Sequence, residues 1–99
     1  MTYSVYTTPA GRKALRKLPE EVRQHLQEAL AILETQPTSG EPLKGNMRFL
    51  RSFHTRFKNT DYRVAYEIIE RAKEILILTA GPRENFYKRL EKMKLKKVA

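Results

Sequence analysis

Near residue 48 the hydrophobic pattern of this 99-residue chain changes period from helical to alternating, and this constrains its fold more than any other feature. Before it, Ala10, Ala14, Leu15 and Leu18 make one helical stripe. Val22, Leu26, Ala29, Leu30 and Leu33 make a second, running to about Thr35. Thr8 reads as a helix cap with Pro9 in the first turn, Leu18-Pro19 separates the two helices, and Pro37 stops the second. From Arg48 to Lys58 the period is two: Phe49, Phe53 and Phe57 on one face, Arg48, Leu50, Ser52, His54, Arg56 and Lys58 on the other.

Around this switch the remaining elements fall into place. Tyr3 to Tyr6 alternates as a short opening strand, and residues 37–46 form a turn-rich loop. Asn59-Thr60-Asp61 reads as a turn, and Tyr62 to Glu70 is nearly continuous in apolar residues, as a central strand is. Ala72-Lys73 closes a hairpin into Glu74–Thr79. Gly81-Pro82 then opens a last helix in which Phe86, Leu90 and Met93 share a face. The order is β-α-α-β-β-β-α. It predicts an α+β fold in which an N-terminal helical hairpin packs on a mainly antiparallel four-stranded sheet with a C-terminal helix.

Ninety-nine residues with 40% hydrophobic content suffice for one core, so residues 1–99 are expected to form a single domain. No window approaches about 18 consecutive apolar residues, so no membrane span is expected. The opening residues have neither a basic nor an apolar signal region, which makes the cytoplasm the expected location. Without Cys there are no disulfides, thiolate metal sites or thiol nucleophiles, and no acidic cluster suggests a hydrolytic metal. No metal and no small-molecule cofactor are expected.

The net charge is +9, unevenly spread. Residues 1–40 carry net +1, 41–63 net +4, 64–82 net −1 and 83–99 net +5. Two basic segments thus flank a nearly neutral strand region, and a fold that joins them makes a surface suited to a polyanion. Alternation puts His54, Arg56 and Lys58 on one sheet face, with Arg63 joining them from the next strand. Singly, each is an edge-strand charge that discourages aggregation. Together they repel one another and favour a ligand that brings negative charge. Arg83 and Tyr87, four residues apart, are expected on one face of the last helix, Tyr87 to stack on a base or donate a proton. His25 has no ligand partner at a useful spacing and reads as a surface residue, and Lys92 to Lys97 as a basic tail.

Tyr3-Ser4-Val5, Leu15-Arg16-Lys17-Leu18-Pro19, Pro42-Leu43-Lys44-Gly45, Asp61-Tyr62-Arg63-Val64-Ala65-Tyr66, and Gly81-Pro82-Arg83 followed by Tyr87 occur in this order. Over essentially its whole length the chain resembles the RelE/ParE toxin superfamily, most specifically in the Asp-Tyr-Arg-Val-x-Tyr element. The resemblance implies a small toxin of a toxin–antitoxin pair, silenced by a cognate antitoxin that wraps it. RelE-type members cleave mRNA in the ribosomal A site without a metal, so mRNA and the ribosome are implied partners. Their basic strand residues, the Arg of the Tyr-Arg element, the Arg after the last strand's Gly and the late Tyr correspond here to His54, Arg56, Arg63, Arg83 and Tyr87. The type member has lysines where this chain has His54 and Arg56, and a longer spacing from the Arg to the Tyr. ParE-type relatives share the scaffold and poison DNA gyrase, which is the alternative function.

The implied chemistry suits these residues. When a 2′-OH attacks the adjacent phosphate, one proton is removed, another is donated, and a dianionic phosphorane is stabilised. Arg63 and Arg83 are expected to hold the phosphate bidentately, and Tyr87 to stack on the base or protonate the 5′-oxygen. His54, the candidate that titrates near neutrality, is the expected general base, kept neutral by neighbouring cations. Lys44, Arg48, Lys58, Lys88 and Lys92 are expected to bind the RNA backbone, with Arg56 also positioning it. The expected product carries a 2′,3′-cyclic phosphate.

Overall fold

Thr8 starts the first helix as its sequence suggests: its Oγ1 accepts the Gly11 N–H at 3.0 Å, and Pro9 takes the first turn. The computed structural model describes residues 2–93 and residue 95, so most of the expected basic tail beyond Met93 lies outside the described residues. Its elements are β1 (Ser4–Thr7), α1 (Pro9–Arg16), α2 (Glu20–Leu30), β2 (Glu41–Pro42), β3 (Leu50–Phe57), β4 (Thr60–Ile69), β5 (Glu74–Pro82) and α3 (Phe86–Lys92). The second helical stripe runs on past α2 as a 3₁₀ turn, Ala31–Glu34.

The sheet has five strands in the order β1-β5-β4-β3-β2, with β1 parallel to β5 and the other pairs antiparallel. The α+β class and the helical hairpin are as expected, while the strand count is five instead of four. The added strand is β2, inside the expected loop, where Glu41 pairs with Ser52 and Pro42 with Arg51. Two residues with a proline at a sheet edge carry no periodicity to read. Tertiary hydrogen bonds hold the chain leading into β2: the buried Tyr66 hydroxyl donates to the Pro37 carbonyl (2.6 Å) and accepts the Gly40 N–H (2.9 Å). Arg51 Nη1 donates to the Gly40 carbonyl at 2.6 Å.

Both faces of the sheet are covered, which is why β4 and β5 read as continuous apolar runs. The helical hairpin packs Leu15, Val22, Leu26, Leu30 and Leu33 on Tyr62, Val64, Tyr66, Ile75 and Ile77. On the opposite face Phe86 and Leu90 of α3 pack with Leu50, Ala65 and Leu78. The β4–β5 register shifts between Ala65 and Tyr66, leaving Leu78 as an extra residue in β5. Phe53 and Phe57 pack on the hairpin side as alternation predicts. Phe49 precedes the strand, is freed from its period, and packs on the α3 side instead. Helix α1 lies so close to β5 that a Cβ on Gly11 would collide with the Ile77 carbonyl.

Two further differences concern the site. The β3–β4 turn is Lys58-Asn59, both at positive φ (47° and 69°) between the paired Phe57 and Thr60, a residue earlier than expected. Strand β5 runs on to Pro82, paired with Tyr62, so α3 opens only at Phe86, after Asn85 at φ 60°.

Candidate active site

The sheet register brings the site together. His54 of β3 pairs directly with Arg63 of β4, which pairs with Gly81 of β5. One rung further out, Arg56 pairs with Asp61, and the Asp61 carbonyl accepts the backbone N–H of Arg83 at 2.8 Å. Alternation keeps His54 and Arg56 on one face, as it does Asp61 and Arg63. Helix α3 adds Tyr87, whose ring meets buried Phe86 edge-on, with centroids 5.4 Å apart at 88°.

Arg63 Nη1 lies 2.8 Å from His54 Nε2 and 3.0 Å from the Tyr87 hydroxyl, and its guanidinium carbon sits 5.8 Å from the Tyr87 ring centre. Ser52 Oγ is 3.1 Å from His54 Nε2 and 3.4 Å from the Tyr87 hydroxyl. Arginine can only donate, so Nε2 of His54 is an acceptor and the neutral ring carries its proton on Nδ1. Partial burial pushes the His54 pKa below its ordinary value, the Arg63 charge pushes it further, and Glu41 and Asp61 pull the other way. Among the described residues, Arg63 Nε is a buried donor with no hydrogen-bond partner. Beside these residues lies a cavity of about 340 Å³, lined by Glu41, Pro42, Leu43, Lys44, Met47, Ser52, His54 and Tyr87.

Of the residues singled out in the sequence, His54, Arg63 and Tyr87 thus form one hydrogen-bonded set. Arg56 is exposed and lies 3.8 Å from Asp61. Arg83 is exposed in a neighbouring groove with Asn59, Thr60, Asp61, Glu84 and Asn85. The expectation that it shares a helix face with Tyr87 fails, because β5 extends past Gly81 and Arg83 precedes α3. Lys58 leaves the expected face as well: it sits in the turn at positive φ and its Nζ pairs with Glu21 of α2 at 3.1 Å. Lys44 lines the cavity, Arg48 lies in a depression with Gly45, Asn46 and Phe49, and Lys88 and Lys92 are exposed on α3.

Sequence reading did not single out Ser52 or Glu41 as residues of the site. Ser52 carried one signal, a polar residue in the same row as Leu50, whereas Glu41 depends on β2, which left none. His25, read as a surface residue, is half-buried: its Nε2 is 3.0 Å from Thr55 Oγ1 and its ring packs on Phe57. Among the described residues, no group of three or more His, Asp or Glu side chains could hold a metal ion, and no helix is long and apolar enough to cross a membrane.

Residues 5–91 match the family model described as the ParE-like toxin of type II bacterial toxin–antitoxin systems. No curated protein matches the chain in sequence. Among solved structures, the fold is similar to the toxin–antitoxin complex RelBE2 of Mycobacterium tuberculosis, with 29% identity, a TM-score of 0.70, and coverage of 84% of this chain and 100% of that one. The archaeal RelE–RelB complex of Pyrococcus horikoshii is similar at 31% identity and a TM-score of 0.59, covering 85% and 98%. The free toxin RelE of E. coli shares the fold, with a TM-score of 0.76 at 23% identity and coverage of 95% and 97%. A family match over most of the chain, together with this shared fold, shows that the protein belongs to the ParE-like toxins of type II toxin–antitoxin systems.

Proposed function

We propose that this toxin is a metal-independent endoribonuclease that cleaves mRNA, in the ribosomal A site, by attack of a 2′-OH on the adjacent phosphate. The observation that carries this reading is the hydrogen-bonded set of His54, Arg63 and Tyr87 on one sheet face. It combines a neutral imidazole, a permanent cation and a phenol, which are a base, a phosphate ligand and an acid. In this reading Nε2 of His54 takes the 2′-OH proton as the new P–O bond forms. Arg63 turns to the phosphate oxygens and stabilises the phosphorane, with Arg83 and Arg56 holding the flanking backbone. The Tyr87 hydroxyl gives its proton to the departing 5′-oxygen, leaving a 2′,3′-cyclic phosphate on the other fragment. Lys44, Arg48, Lys58, Lys88 and Lys92 contribute long-range attraction for mRNA and ribosomal RNA.

A cognate antitoxin is part of the same proposal, supported by the antitoxin complexes in which the M. tuberculosis and P. horikoshii relatives were solved. Its expected chemistry is an acidic or amphipathic segment that covers the basic face or α3. The family description as ParE-like favours one second reading, inhibition of DNA gyrase without RNA cleavage.

Primer extension on mRNA from cells briefly expressing the wild type, Arg63→Ala and Arg83→Ala separates the two. In-frame cuts confined to the wild type support the ribonuclease. Accumulating DNA breaks without mRNA cuts would replace it with gyrase poisoning.

A further inference from the structure

We infer that Ser52 is a positioning residue of this site, its buried hydroxyl joining Tyr87 to His54 by donating to Nε2, which Arg63 holds as the acceptor nitrogen of the imidazole. Ser52 is 2% exposed in β3, beside fully buried Leu50 in the same row and opposite Ala65. Packing alone would be satisfied by alanine there, and a buried hydroxyl needs partners. Among the described residues, the side chains within hydrogen-bond reach of its oxygen are His54 and Tyr87.

The directions of the bonds are forced. Arg63 donates to both His54 Nε2 and the Tyr87 oxygen. Nε2 has no proton to give, so the Ser52 hydroxyl donates to it. The Tyr87 proton is then free to point at Ser52 Oγ, 3.4 Å away. Tyr87 O–H, Ser52 O–H and the Nε2 lone pair therefore form one chain with a single polarity. The groups around His54 are Arg63 and Asp61 from β4, Glu41 from β2, Lys44 after β2, and Tyr87 from α3. A donor on Nε2 stabilises the neutral ring, so removing the hydroxyl favours the imidazolium.

The catalytic consequence rests on the ribonuclease reading, but the arrangement itself is measurable without RNA. NMR titration of the His54 ring in the free toxin, with long-range proton–nitrogen correlation to report the tautomer, compares the wild type with Ser52→Ala and Ser52→Thr. Thermal melts confirm that each variant folds. The wild type should show the Nδ1–H tautomer. Ser52→Ala should raise the His54 midpoint by about half a pH unit, the weight of one modest hydrogen bond, and Ser52→Thr should hold it near the wild-type value. An unmoved midpoint in Ser52→Ala, or an Nε2–H wild type, overturns the inference. In ribosome-programmed cleavage, the acid limb of kcat for Ser52→Ala should shift with that midpoint, kcat should fall about tenfold and KM should stay unchanged. A shifted midpoint with an unchanged kcat profile overturns the positioning role. A wild type that cuts no mRNA sinks the ribonuclease reading and leaves the NMR outcome to decide the Ser52 arrangement.

Discussion

Arg63 and His54 are a directly paired couple of the β3–β4 ladder, and the guanidinium donates across it to Nε2 at 2.8 Å. Partial burial lowers the His54 pKa below its ordinary value, and this permanent cation lowers it further. The mRNA-cleavage rate should therefore have an acid limb below about pH 6.5, the ordinary histidine value. Arg63→Ala should move that limb upward and lower kcat by about 10²–10³, the usual weight of a transition-state donor. Folded His54 binds its proton at lower pH than the unfolded chain does. Its stabilising contribution is thus complete above about pH 6.5 and is lost as the pH falls through the folded value. A pH series of urea melts in which His54→Gln flattens the acidic decline would verify this.

Tyr87 can be divided into ring and hydroxyl. Tyr87→Phe keeps the edge contact with Phe86 and removes the hydroxyl proposed as the acid. It should lower single-turnover cleavage by about 10²-fold with KM little changed. Tyr87→Ala should also raise KM if the ring stacks on a base. Equal kinetics in the two variants would show that only the hydroxyl matters.

Arg56 and Arg83 flank the central set on the next rung, and Arg56 is exposed beside a half-buried Asp61. Their replacement by Gln should leave stability within about 0.5 kcal/mol, as surface pairs do. It should weaken toxin–ribosome affinity and flatten its salt dependence, measured by titration at several salt concentrations.

Tyr66 controls the path into β2. Its hydroxyl is bonded on both sides, to Pro37 and Gly40, and burial raises its pKa, so it is a neutral donor at physiological pH. Tyr66→Phe should cost about 1–3 kcal/mol in urea unfolding, because the Gly40 N–H and Pro37 carbonyl lose a buried partner. It should also lower mRNA cleavage, since β2 carries two walls of the cavity beside His54.

Gly11 is a fold position without a role in the site. Gly11→Ala should destabilise by about 1–3 kcal/mol through overpacking of α1 on the Ile77 carbonyl, with cleavage per folded molecule unchanged.

What could be read in advance follows from how local each signal is. The helical hairpin and β3–β5 are encoded by period and by proline and glycine, and the Phe53/Phe57 face against His54 and Arg56 came directly from alternation. Lys58 was misplaced because a shift of one residue in a turn removes a side chain from its row. Arg83 was misplaced because nothing local says that β5 continues through Gly81-Pro82; its pairing with Tyr62 does. Glu41 became a neighbour of His54 only through the tertiary bonds of Tyr66 and the two-residue strand they support, whereas Ser52 already shared its row of β3. The helix-like spacing of Arg83 and Tyr87 suggested a shared face that the extension of β5 removes, whereas the contact between Arg63 and Tyr87 had no local signal.

The parallel pairing of β1 with β5 joins Ser4 to Glu74 and Thr7 to Ile77, about seventy positions along the chain. On a translating ribosome the first strand has no partner until the fifth has emerged, and the Arg63–Tyr87 contact waits longer still. Such non-local closure is slow and comes late. The nascent chain therefore carries its helical hairpin early, whereas β3 to β5 and then Tyr87 follow in turn, so the set of His54, Arg63 and Tyr87 is among the last contacts of the fold to close.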